Sequence, residues 1–279
     1  MRRIALFVGA VVTVAMVVGL GLTRLTQSAY ARETCNIHSL NGPYGYAFTG
    51  SRFTPPGSEN EVADAAVGGR VVFNGDGQFA GRDWVSVNGH GIARAYKGAY
   101  SFGSDCTGVL TITEINGAPA SRTSAFTLVD NGRQIKTIQT DPGFVLAGTF
   151  TRAKQDCTNE TLHSSYGYAS QGQRFAPPFT ESSEVGDFAA GGRASFNGDG
   201  TGEGTDTVSA NGRIVSPSTY TTTYQLERDC TGTLTLTRTA PTPHPPPGHF
   251  RMVVVDDGRM IEMVVTDPGA VVAVELVRQ

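Results

Sequence analysis

Asp83 and Asp206 are the side chains of this sequence best placed to do acid–base or recognition chemistry. Each lies in a run with a period of two: Gly81, Asp83, Val85 and Val87 in one, Gly204, Asp206, Val208 and Ala210 in the other. Alternate residues of a β-strand share one face. With that face turned inward, each aspartate sits among apolar side chains, where desolvation raises a carboxyl pKa unless a partner compensates. The partners expected for Asp83 are Tyr46, Tyr100 and Arg70; for Asp206 they are Tyr168, Tyr224 and Arg193. Such a cluster reads either as a satisfied bond that locks the fold or as the polar end of an apolar pocket. Parity speaks against Arg70, because Phe73 and Arg70 point to opposite faces of their strand. Trp84 falls opposite Asp83, and Thr207 takes its place in the second run, so Trp84 is expected as a surface aromatic peculiar to the first.

Other chemistry is sparse. The sequence has no Gly-x-Ser-x-Gly, His-Glu-x-x-His, phosphate loop or dinucleotide fingerprint. Its histidines, His38, His90, His163, His244 and His249, never occupy equivalent positions, which excludes a shared histidine base or metal site. His244 and His249, beside a proline-rich run, are the nearest thing to a metal pair. Asn74-Gly-Asp-Gly and Asn197-Gly-Asp-Gly lack the further oxygen ligands of a calcium loop and read as hairpin turns. No cofactor is expected.

The elements that must position the aspartates are written twice. Residues 35–152 and 157–279 repeat Tyr-Gly-Tyr, Gly-Gly-Arg, Asn-Gly-Asp-Gly, Asp-Cys-Thr-Gly and Thr-Asp-Pro-Gly in the same order. A period this long means two copies of a domain rather than a solenoid. A residue found in both copies is expected to serve the shared fold, and a residue found in one is not. The first copy reads as strands near 44–50, 67–74, 78–87, 92–103, 108–115, 123–130, 133–140 and 143–151. The alternation of Leu110 and Ile112 with Thr111 and Thr113 supports strand over helix. The fold class expected is all-β: two tandem antiparallel barrels of about eight strands each, with β-sandwiches as the alternative. The longest gaps between strands, Ser51–Ala66 and Gln173–Ala190, read as a lid, a binding loop or a plug. Only Ala153–Asp156 separates the copies, so the domains should pack together. Thr239–His249 lengthens one hairpin of the second copy as a polyproline-like excursion.

Arg2 and Arg3, an uncharged apolar run from Ile4 to Leu22, and Ala29-Tyr30-Ala31 compose an N-terminal apolar helix. It is either a signal peptide spanning 1–31 or a membrane anchor at 4–22. Both readings export the rest of the chain, to the extracellular space or the cell envelope. Cys35, Cys106, Cys157 and Cys230 then favour disulfides, and one pair per repeat, Cys35–Cys106 and Cys157–Cys230, is the economical connectivity. The net charge of −3 becomes −6 once Arg2, Arg3 and Arg24 leave with the segment. That gives no footprint for nucleic acid, and none for a membrane beyond the N-terminal segment.

As a set, the Cys start, the Tyr-Gly-Tyr strand, the Phe-Asn-Gly-x-Gly hairpin, the Asp-Cys-Thr-Gly turn and the closing Thr-Asp-Pro-Gly resemble uncharacterised exported bacterial β-repeat proteins. Strand count and size are more distantly similar to the barrels of allene oxide cyclase and dirigent-type proteins. That second resemblance implies a cavity for a small hydrophobic molecule, but no catalytic motif of those families matches here. Two functions stay open: a non-enzymatic exported binding or envelope protein that recognises its partner either by a small hydrophobic ligand held in the barrels or by its outer surface, and an isomerase or cyclase with Asp83 or Asp206 as acid/base.

Overall fold

A computed structural model describes residues 35–279 except His244. The signal or anchor expected at 1–31 and the His244 arm of the histidine pair lie outside the described residues. No helix among the described residues is long and apolar enough to cross a membrane.

Two-residue turns set the meander. Asn88-Gly89, Asn116-Gly117 and Asn211-Gly212 all have positive φ at both positions, the backbone that a tight hairpin between right-twisted strands requires. In the Asn74-Gly-Asp-Gly turn the Asn74 side-chain oxygen accepts from the backbone N–H groups of Asp76 (2.9 Å) and Gln78 (3.0 Å), so it is occupied by the turn itself. Between such turns run β1 (Asn41–Phe53), β2 (Glu61–Asn74), β3 (Gln78–Val87), β4 (His90–Phe102), β5 (Thr107–Ile115), β6 (Ala118–Val129), β7 (Gln134–Gln139) and β8 (Phe144–Arg152). Pairing of Tyr44 with Arg152 and Gly50 with Leu146 closes β1 on β8. The second copy repeats the plan in β9 (His163–Phe175), β10 (Glu184–Asn197), β11 (Thr201–Ala210), β12 (Arg213–Leu226), β13 (Thr231–Ala240), β14 (Gly248–Val255), β15 (Met260–Val265) and β16 (Ala270–Arg278). Both sheets are closed eight-stranded antiparallel barrels, not sandwiches.

The expected long loops are largely strand. β1 continues to Phe53 and β2 starts at Glu61, leaving 54–60 as the connection; the second copy leaves 176–183. The paired stretch Glu61–Ala66 is acidic and alanine-rich, which hid its strand character. Disulfides join Cys35 to Cys106 and Cys157 to Cys230, tying the lead-in of each barrel to its β4–β5 or β12–β13 turn. Closing loops of 71 and 73 residues stabilises each barrel by roughly 4 kcal/mol in the chain-entropy view.

The interiors differ. Barrel one is filled by aromatic rings in edge contact, including Tyr44–Phe73, Phe73–Tyr100, Tyr46–Phe150 and Phe102–Phe126. Barrel two is lined mainly by aliphatic and methionine side chains such as Leu234, Met252, Ile261, Met263, Val272 and Leu276.

The barrels also share a core. Ala66 of β2 is buried with Phe175, Val264 and Val271 of barrel two, and Trp84 packs against this group. Gly45 permits the close approach: a Cβ there would lie 2.6 Å from methyls of both Val253 and Val255. Hydrogen bonds cross the seam from Ser86 Oγ to the Ala270 carbonyl (2.6 Å) and from the Gly269 N–H to the Gly89 carbonyl (2.8 Å). Trp84 is therefore a half-buried seam residue rather than a free surface aromatic, because the outer face of β3 is where the second barrel docks.

Candidate functional site

Alternation along β3 and β11 turns Asp83 and Asp206 inward, where they are 7% and 5% exposed. Each must therefore be paired. In barrel one the Arg94 guanidinium supplies a bidentate partner, donating from Nε to Asp83 Oδ1 (2.9 Å) and from Nη2 to Oδ2 (2.6 Å). Tyr46 donates its hydroxyl to Oδ2 at 3.1 Å and shares a 2.8 Å hydrogen bond with the Tyr96 hydroxyl. In barrel two Arg238 donates from Nη1 to Asp206 Oδ1 (2.7 Å) and from Nη2 to Oδ2 (2.9 Å), and Tyr168 donates to Oδ2 at 2.9 Å. Arg238 also donates to the Ser218 hydroxyl.

Gly81 and Gly204 make room for the cluster. The ring of Tyr96 lies over the first and that of Tyr220 over the second, in the space a Cβ would occupy. Burial pushes the Tyr46 and Tyr96 hydroxyls well above the ordinary phenol range, and the Asp83 charge adds to the effect. Tyr168 is raised in the same way, and Tyr220 is raised to about 12, again chiefly by burial. Burial alone would lower the arginines, but their bonds to the aspartates outweigh it and raise both Arg94 and Arg238. The tyrosines are thus neutral donors and the arginines fixed cations.

The expected grouping holds for Tyr46 with Asp83 and Tyr168 with Asp206, and needs correction for the other four residues. The Tyr100 hydroxyl donates to the Leu40 carbonyl (2.8 Å) and Tyr224 to that of Leu162 (3.0 Å), so both tie down the lead-in segments instead. Arg70 and Arg193 lie on the outer faces, as the parity of β2 implied. Arg70 reaches to within 3.9 Å of Asp229, and Arg193 donates to Ser165 and Ser195. The missed residues are Arg94 and Arg238 with Tyr96 and Tyr220. The two arginines are not equivalent: Arg94 is on β4, where barrel two has Ser218, and Arg238 is on β13 facing Tyr220, where a bulge in β5 puts Ile115 opposite Tyr96 in barrel one. One ion pair is thus assembled from different strands in the two copies. A role in the shared fold does not require a shared position.

Barrel two holds a cavity of about 110 Å³ that opens against this cluster. Its walls include Phe188, Leu236, Phe250, Met263 and Val274, and its polar end is Tyr168, Asp206, Tyr220 and Arg238. Two of its wall positions are smaller than in barrel one, where Phe48 and Phe150 correspond to Ser170 and Leu276, while Phe188 and Phe250 replace Ala65 and Ser124. The Thr222 hydroxyl lines the cavity and is buried with no hydrogen-bond partner.

No protein-family model matches the chain, and no curated protein matches it. Among solved structures it is similar to the isotype 1 transferrin binding protein B from serogroup B Neisseria meningitidis. That likeness has a TM-score of 0.31 at 8% identity, covering 86% of this chain and 77% of the other.

Proposed function

We propose that the chain is an exported, non-enzymatic binding protein whose second barrel holds a small, mainly apolar molecule bearing one polar group. The cavity of barrel two, with the unpaired Thr222 hydroxyl in its wall, carries this reading. An unfilled apolar space costs stability at about 24 cal/mol per Å³, roughly 2–3 kcal/mol for this one, and an occupant recovers that cost. The volume suits a group near the size of one aromatic ring. Both carboxylate oxygens of Asp83 and of Asp206 are taken by guanidinium and phenol donors, which favours binding over proton transfer as their role. Disulfides in both barrels fit an oxidising compartment outside the cytoplasm.

Native mass spectrometry of the chain purified from its own host, paired with calorimetric titration by phenol, tests the proposal. A bound mass, or saturable phenol binding abolished by Ser170→Phe in a variant of unchanged thermal midpoint, is the expected result. A bare mass together with no phenol binding would sink it.

A further inference from the structure

A groove of about 790 Å³ runs between the barrels, walled by the outer faces of β2–β4 on one side and by β13–β15 on the other. Its volume falls in the ordinary range of small-molecule sites. Three of its side chains are arginines that take no part in either barrel interior. Arg70 and Arg82 are directly opposite each other across β2 and β3. Like charges so placed destabilise a sheet. The matching pair in barrel two is Arg193 with Thr205, so the barrel does not need the second cation. Arg251 enters from the facing wall, its guanidinium carbon 5.6 Å from the centre of the Trp84 ring. Ala125 stands at the position of Arg251 in barrel one, and Thr207 at that of Trp84 in barrel two.

The acidic groups of the groove leave these cations largely uncompensated. Asp229 approaches Arg70 no closer than 3.9 Å, and Asp83 is spent on Arg94 inside the barrel. Glu262 is 3% exposed, and burial with the nearby Glu275 charge raises it to about 8, so it is protonated at neutral pH. Glu227 is exposed at the rim. Two buried donors in the same walls, Arg70 Nε and Trp84 Nε1, have no hydrogen-bond partner. Buried donors are almost always satisfied in a folded protein, and the planar fork of a guanidinium is suited to an oxyanion.

We propose that the inter-barrel groove is a binding site for a small ligand bearing an oxyanion, held by Arg70, Arg82 and Arg251. The site exists only in the two-barrel protein, since its cations come from both copies. It is separate from the cavity of barrel two.

Trp84 is the single tryptophan of the chain, so its emission reports on this groove alone. The full chain is titrated with sodium benzoate and with sodium phosphate at constant ionic strength, by fluorescence and by calorimetry. At least one anion should bind saturably at millimolar concentration or below, and Arg82→Ala and Arg251→Ala should each weaken it about tenfold or more. Arg213→Ala, remote from the groove, should change nothing. Response to benzoate alone marks a carboxylate ligand, response to phosphate alone a phosphate-bearing one, and response to both a general oxyanion site. Arg82→Gln and Arg251→Lys serve if an alanine variant does not fold. The proposal fails if neither anion gives a saturable signal by either method, or if binding is unaffected by the arginine substitutions.

Discussion

The ion pair inside each barrel is a residue-scale device with a measurable cost of disruption. Arg238→Ala leaves Asp206 buried and unpaired, and should destabilise barrel two by about 3–5 kcal/mol in chemical denaturation. Ser218→Arg combined with Arg238→Ile moves the pair to the arrangement of barrel one, where Ile115 faces Tyr96, and should recover most of that loss. Failure of the double variant to exceed Arg238→Ala in stability would show that the two arrangements are not interchangeable. Asp83, Asp206, Tyr46 and Tyr168 were legible from alternation because one inward face carries both the apolar residues and the aspartate. Arg94 and Arg238 were legible by the same rule, since Arg94 shares parity with Tyr96 and Tyr100, and Arg238 with Leu234 and Leu236. They were missed because comparison of the copies position by position discards any residue present in only one. Arg70 passed that filter for the opposite reason: Gly-Gly-Arg recurs in both copies, yet its arginine faces outward in both.

At the scale of elements, one motif performs different work in the two copies. Tyr-Gly-Tyr recurs in β1 and β9, but only in β1 does the glycine touch the other barrel. A Cβ at Gly45 would strike Val253 and Val255, whereas one at Gly167 would have the Gln279 side chain 3.6 Å away as its nearest neighbour. Gly45→Ala should therefore lower the thermal midpoint by several degrees, about 1–3 kcal/mol of overpacking, while Gly167→Ala should be near neutral. Equal effects of the two substitutions would mean the seam yields easily. The turns were the clearest elements in the sequence, since Asn-Gly pairs dictate their own backbone. The β1–β2 and β9–β10 hairpins were obscured because small and acidic residues at 61–66 carry little strand signal, and the ladder to the neighbouring strand supplies what propensity lacks.

The two barrels form one compact unit across their seam, and this was the part least visible in the sequence. The contact joins β1 and β2 of barrel one to β14–β16 of barrel two, so unlike faces meet, and a motif such as Tyr-Gly-Tyr that recurs in both copies lies at the seam in only one of them. Glu262 sits in that seam as a nearly buried carboxyl raised from 4.5 to about 8 by desolvation and by Glu275, against a smaller lowering effect of Lys136. The folded protein therefore holds a proton that the unfolded chain releases between these values. Its stabilising effect is complete below about 4.5 and is lost as pH rises through about 8. Glu262→Gln should flatten stability across this window and raise it at pH 8 by on the order of a few kcal/mol, as read by denaturation at several pH values. An unchanged pH profile would show that Glu262 is solvated in the working protein. The joining of unlike faces has a further consequence. A head-to-tail contact does not close on itself, and like copies could in principle add indefinitely. Barrel one carries the counterpart of barrel two's docking face, with Ile138 (53% exposed) and Val145 (63% exposed) where Val264 and Val271 are buried. That face differs from its counterpart in barrel two: Thr127 stands at the position of Val253, and Lys136 at that of Glu262. A like barrel seated on that face would meet a lysine and a hydroxyl at those two positions, which weighs against the same contact being made a second time.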